Sequence, residues 1–247
     1  MTRSILLVRH GQASFGKSDY DQLSELGRTQ TRLLGQFLST RGATPDRIVS
    51  GSLNRQRQTA AGICVAAGWV TPTDVDDAWN ELDHVEIINT FKPAYKNMLV
   101  LKADMVRTLR PRAAFEDMFT QAIARWASGE HDEDYTETFS SFDHRVRTAM
   151  SALLEHEAER TLVVSSVGLI SWIVARILVR EPWDRDVRDP DRPDTNDLAI
   201  ESIWRETSMA GYNTGITRLQ LDKEGLPQLL TYNEIGHLPE AKLVTAR

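Results

Sequence analysis

Two short runs, Ile5-Leu6-Leu7-Val8 and Thr161-Leu162-Val163-Val164-Ser165, are apolar at almost every position. A strand with one wet face alternates polar and apolar residues, so a run without alternation has both faces buried. Such strands belong to parallel sheets covered by helices on both sides. The residues between them fit that plan. Ser24 is an N-cap candidate, Leu26, Leu33, Leu34, Phe37 and Leu38 recur at helical spacing, and Gly42 is a stop signal. Pro45-Asp46 leads into a predicted strand from Arg47 to Ser50. A second helix is predicted from about Leu53 to Ala67, ended by Gly68, with a third strand around Pro72 and Val75. This alternation predicts an α/β fold, a three-layer α/β/α sandwich with a mostly parallel central sheet.

The alternation pauses from Trp79 to Glu159. Pro111 to Trp126 and Phe139 to Leu154 read as helices around an acidic loop, Gly129 to Asp134. No low-complexity linker flanks this stretch. We therefore expect one domain, 1–247, with 79–159 as a helical insertion that lids it. After the second buried run, Ser166-Val167-Gly168 opens an apolar helix through Leu169 to Ile173. Glu181 to Asp197, with Pro182, Pro190 and Pro193, reads as a surface loop. Thr214 to Leu221 alternates as a strand, and Leu229 to Tyr232 pairs with it through a turn at Lys223-Glu224-Gly225. There is no internal repeat.

Composition narrows the function. The chain has 247 residues, 41% of them hydrophobic, enough for a full core. Its net charge is −6 and its pI about 5.6, far from the basic footprint of a nucleic-acid binder. The single cysteine, Cys64, excludes an intrachain disulfide and reads as a small buried hydrophobe. The apolar start is too short for a signal segment. Val167 to Val179 is interrupted by Arg176 and falls short of a span of about 20 residues. We expect a cytoplasmic protein without membrane contact. A chain this acidic that handles phosphate must gather its positive charge locally.

Two places do so. The first strand ends in Arg9-His10-Gly11-Gln12, and in open α/β sheets ligands bind beyond the carboxyl ends of the strands. The structural alternative is a loop Arg capping a carbonyl and a packed His. Arg55 lies in the first turn of the second helix, where a cation is disfavoured by a few tenths of a kcal/mol unless an anion sits there. The helix N-terminus offers N–H groups to phosphate, and Arg adds a bidentate fork. Arg57 reads as solvated.

Together these stretches resemble the histidine phosphatase superfamily, the phosphoglycerate mutase-like fold. Leu7-Val8-Arg9-His10-Gly11 resembles its signature, Leu23-Ser24-Glu25-Leu26-Gly27-Arg28-Thr29-Gln30 a second conserved stretch, and Leu53-Asn54-Arg55-Gln56-Arg57-Gln58-Thr59-Ala60 its second-arginine helix. Asn80-Glu81 stands where the family places its acid. The resemblance implies that His10 is a nucleophile forming a phosphohistidine. Arg9 and Arg55 would hold phosphoryl oxygens, Glu81 would be the general acid and base, and Gly11 would let phosphate approach the backbone. Gln12 is expected in a supporting position.

The chain departs from the pattern at one point. The family carries a second His in a Ser-His-Gly-Gly-like turn, and here Val164-Ser165-Ser166-Val167-Gly168 puts Ser166 at that position. A hydroxyl can donate to phosphate but carries no charge. Losing a charge-assisted donor costs on the order of 10²–10³ in rate if nothing replaces it. His84 and His237 are the candidates to compensate, each with a packing role as the alternative. Asn80-Glu81 is all that Trp79 to Val85 shares with the mutase motif, and Gly16 stands where mutases have Asn. The implied function is a phosphomonoesterase acting on a small phosphorylated substrate. A weak or inactive phosphate-ligand binder and a phosphoglycerate mutase are the alternatives. No cofactor and no metal are expected, since no His and carboxylate pair has ligand spacing. Lys92, Lys96, Lys102 and Arg107 are either an extension of the anion site or solvated helix faces. A homodimer is left open.

Overall fold

The computed structural model describes residues 3–14, 21–108, 110–184 and 195–246. Gly16 and 185–194, the centre of the Pro-rich loop, lie outside them. Six strands form one sheet in the order β3-β2-β4-β1-β5-β6. They are β1 (Ser4–Arg9), β2 (Arg47–Ser50), β3 (Thr73–Val75), β4 (Arg160–Ser165), β5 (Ile216–Leu221) and β6 (Pro227–Glu234). The first four are mutually parallel, β5 runs antiparallel to β1, and β6 antiparallel to β5.

The unbroken apolar runs do form the centre. Leu7 pairs with Val163 and Val8 with Val164, and all four are buried. Val8, Leu162, Val164, Ile48 and Ile216 form one core with Leu34 and Leu38 of α1 (Glu25–Thr40) and Ala60 and Ile63 of α2 (Asn54–Ala67). Cys64 packs partly buried against this core, and desolvation pushes its thiol pKa up. Alternation places Leu7 and Val163 on the other face. α7 (Val167–Val179) is buried at every position from Gly168 to Arg176, as a predominantly apolar helix must be, and the buried Arg176 donates Nη2 to Pro182 O at 2.6 Å. No described helix is long and apolar enough to cross a membrane.

The end signals act as the sequence predicts. Ser24 caps α1 by accepting from Gly27 N, and Gly68 ends α2 in the left-handed conformation at φ 70°. α8 (Thr195–Ala210) was not expected. The predicted loop runs into its first turn, and one of its few apolar side chains, Leu198, is 68% exposed, which dilutes the helical pattern. Its buried Trp204 packs edge-on against Trp172 and donates Nε1–H to Gly168 O.

The chain divides into two compact units, Met1–Glu81 with Val146–Arg247, and Leu82–Arg145. The second contains α3 (His84–Phe91), α4 (Met98–Val106), α5 (Pro111–Ser128) and the first part of α6 (Phe139–Glu155). The bounds of α3 and α4 were not legible in the sequence; at eight and nine residues they sustain no long pattern. Trp126 packs against Phe139 and Phe142 inside this unit. Trp79, the expected start of the insertion, belongs to the first unit, where it is 2% exposed.

Candidate active site

β2, β4 and β1 are adjacent and parallel, so their carboxyl ends open on one edge of the sheet. His10 follows β1, and its backbone N–H continues the ladder by donating to Ser165 O at 2.9 Å. The residue is 6% exposed. Nδ1 lies 2.7 Å from Gly11 O. A carbonyl only accepts, so Nδ1 carries the proton and Nε2 keeps its lone pair. Arg55 confirms the assignment by donating its Nε–H to Nε2 at 3.2 Å.

Arg55 is the second residue of α2 and is 7% exposed. Leu53 at the N-cap provides no side-chain cap. Asp21 takes that role from outside the helix. Its Oδ2 accepts from Asn54 N at 2.7 Å, and its Oδ1 accepts from Arg55 Nη1 at 2.6 Å. One carboxylate therefore caps the helix and neutralises a cation that the helix N-terminus disfavours.

Arg9 is directed differently. Its Nη1 donates to Gly211 O at 2.6 Å and Ala246 O at 3.1 Å. The carbonyl-capping role is thus present in Arg9, alongside its place next to His10. Gly11 N–H donates to Thr59 Oγ1. A Cβ at Gly11 would come within 2.7 Å of Gly27 O, so the closeness of α1 already requires glycine there. Gln12 braces the same loop: its N–H donates to Gln30 Oε1, and its Oε1 accepts from Ser24 Oγ.

A second brace reaches His10 from the far end of the chain. Asn213 Nδ2 donates to His10 O at 3.2 Å, and Thr214 N–H to Arg9 O and His10 O. Thr245 Oγ1 lies within hydrogen-bond distance of Asn213 Oδ1 and of Gln30 Nε2. His237 belongs to this layer, not to the anion edge. Thr214 Oγ1 donates to Asn213 O, so His237 Nε2–H donates to Thr214 Oγ1 at 2.9 Å. Burial pushes the His237 pKa down to about 4, so the ring is neutral. His84 is the first residue of α3, in the other unit. Lys92, also there, is paired with Asp104 at 2.9 Å.

Glu81 and Ser166 meet at the start of α7. Glu81 Oε2 accepts from Gly168 N at 3.1 Å. The segment leading into Glu81 is fixed at the two residues before it. Trp79 O accepts from Ser165 Oγ and Gln56 Nε2, while Asn80 Oδ1 accepts from Ser52 N. Ser166 is fully buried, and its Oγ accepts from Gln56 Nε2 at 3.0 Å. His10, Arg55, Glu81 and Ser166 are therefore held at the ends of neighbouring strands. Asp21, Gln56, Asn213 and Thr245 are the supports that sequence reading missed. Among the described residues no cluster of three or more His, Cys, Asp or Glu side chains could hold a metal ion.

Comparison with known proteins points one way. The family model described as histidine phosphatase superfamily (branch 1) matches residues 5–97 and 108–191. A 2,3-bisphosphoglycerate-dependent phosphoglycerate mutase of Mesorhizobium japonicum is 33% identical over 95 residues, 35% of this chain and 46% of that protein. The matched stretches span less than half the length of the curated relatives. An alpha-ribazole phosphatase from Shigella flexneri superposes with a TM-score of 0.57 at 17% identity, covering 94% of this chain and 96% of the other. A phosphoserine phosphatase from Entamoeba histolytica, in complex with 3-phosphoglyceric acid, gives 0.56 at 17% identity, with 96% and 99% covered.

Proposed function

The chain belongs to the histidine phosphatase superfamily, and from that premise we propose that it is a phosphomonoesterase that hydrolyses a small phosphorylated substrate through a phosphohistidine on His10. The observation that carries this reading is the state of the imidazole. With Nδ1–H engaged by Gly11 O, Nε2 presents its lone pair beside the Arg55 guanidinium.

In the first step Nε2 attacks phosphorus, the P–O ester bond breaks, and Glu81 gives its proton to the departing oxygen. In the second, water attacks the phosphohistidine, Glu81 takes back a proton, and the P–N bond breaks to release orthophosphate. Charge on the transferring oxygens is met by Arg55 and Arg9, by the Ser166 hydroxyl and by backbone N–H groups at the α7 N-terminus. Gly11 contributes close packing of the loop. Gln12 and His237 act behind it, through the backbone. The names of the superposed proteins, an alpha-ribazole phosphatase and a phosphoserine phosphatase in complex with 3-phosphoglyceric acid, support a small organic phosphate as the substrate class.

The test compares the wild-type chain with His10→Ala on p-nitrophenyl phosphate. Activity should disappear in the variant, and an acid-labile, base-stable phosphoenzyme should form only in the wild type. Equal rates would overturn the reading. Ser166, standing where the family resemblance places a second histidine, favours a second reading: a binder of phosphorylated ligands with little turnover. In that case orthophosphate raises the melting temperature while hydrolysis stays at background. A mutase would need a bisphosphoglycerate-dependent isomerase assay to be positive.

A further inference from the structure

Ser166 sits at the N-cap of α7, with extended backbone, φ −126° and ψ 164°. A serine there ordinarily turns its oxygen to an N–H of the first turn. This one makes no such bond, and the Gly168 N–H donates to Glu81 Oε2 instead. Its Oγ instead accepts from Gln56 Nε2.

The Gln56 amide is oriented without ambiguity. Its Nε2 also approaches Trp79 O at 3.2 Å, and a backbone carbonyl can only accept, so this atom is the NH₂ group. Both amide hydrogens are thereby engaged. The cost falls on Oε1, which is buried against Gly51 without a hydrogen-bond partner. The fold gives up one hydrogen bond of a fully buried side chain and keeps the two that reach Ser166 and Trp79.

With an N–H donated into its oxygen, the Ser166 hydroxyl has its own proton left to give, and it reaches no acceptor among the described groups. We propose that Gln56 is a positioning residue that makes Ser166 a fixed, uncharged hydrogen-bond donor to the anion bound at the α7 N-terminus. Through the shared Trp79 carbonyl, the same amide ties this donor to the segment carrying Glu81. Residue 166 thus works as an oriented dipole where an imidazolium would supply charge. The inference rests on the proposed anion site, but not on turnover.

A double-mutant cycle read by calorimetric titration with orthophosphate tests it. Ser166→Ala should weaken binding about tenfold, the loss of one hydrogen bond to a charged group. Gln56→Met, similar in length but without the amide, should weaken it by roughly three- to tenfold. The double variant should bind no more weakly than Ser166→Ala, because Gln56 acts through that hydroxyl. Gln56→Glu, nearly isosteric, should accept the Ser166 proton and weaken binding by the folded fraction at least as much as Ser166→Ala, with a lowered melting temperature from the oxygen it sets against Trp79 O. It also carries the test if Gln56→Met does not fold. Independent, multiplying losses would overturn the inference, as would Gln56 variants that bind like wild type. A wild-type chain that binds no orthophosphate overturns it too. Failure of turnover alone, with the cycle intact, would remove the phosphatase reading and leave this one standing.

Discussion

The Nε–H of Arg55 donates to Nε2 of His10 across 3.2 Å, so the proposed nucleophile and the cation that would receive the charge are already in contact. The contact is set by a third group. Asp21 grips the other end of the guanidinium and caps the same helix.

Removing that grip should separate orientation from chemistry. Asp21→Ala should lower kcat/KM by about 10–100-fold, the scale of a lost hydrogen bond to a charged group. It should also cost about 1 kcal/mol of stability through the lost cap. Asp21→Asn keeps an acceptor for Asn54 N and should recover most of the stability. Steady-state kinetics with urea melts on the two variants check both.

Glu81 accepts from Gly168 N, close to where a leaving oxygen would depart beside α7. General acid catalysis is worth about 10²–10⁴-fold and matters most for poor leaving groups. Glu81→Gln should therefore slow phenyl phosphate hydrolysis far more than p-nitrophenyl phosphate hydrolysis. Equal loss on both esters would show that Glu81 does not protonate the leaving group.

The parts readable in the sequence are those with a local signature. A doubly buried strand needs apolar residues at both parities, so β1 and β4 announce themselves. Arg9, His10 and Gly11 are contiguous, and Arg55 sits at a visible helix start. The supports have no such signature. Asn213 reaches His10 across 203 residues and Asp21 reaches Arg55 across 34. Gln56 looks like one more polar residue in an exposed first turn, and its complete burial marks it out. Likewise α8 shows its apolar face mainly through Ile200 and Trp204, too few positions to outweigh the prolines before it.

His237 gives the fold a pH dependence of known sign. In the native chain burial holds its pKa down to about 4, and in the unfolded chain it returns to the ordinary 6.5. Between these values the unfolded state binds a proton that the folded state refuses, so stability falls as pH drops from about 6.5 to about 4. The shift corresponds to about 3 kcal/mol. His237→Gln should flatten the stability profile over that window and leave the slope above pH 6.5 unchanged. Urea denaturation at pH 5 and pH 7.5 measures the difference.

Gly27 links stability to the site through backbone alone. A Cβ there would overlap Gln12 O and crowd Gln12 N, and neither can swing aside as a side chain would. Gln12 directly follows Gly11, whose carbonyl sets the His10 ring at 2.7 Å. Gly27→Ala should cost about 1–3 kcal/mol, as overpacking does. It should also lower the specific activity of the folded fraction by about tenfold or more, since small displacements of a reacting group are costly. Gly35→Ala is the control. Its Cβ would come within 2.6 Å of Ile63 O, between α1 and α2 and away from His10. That variant should lose stability on the same scale and keep its specific activity when folded. If both variants lose activity only in proportion to unfolding, the Gly27–Gln12 contact does not position His10.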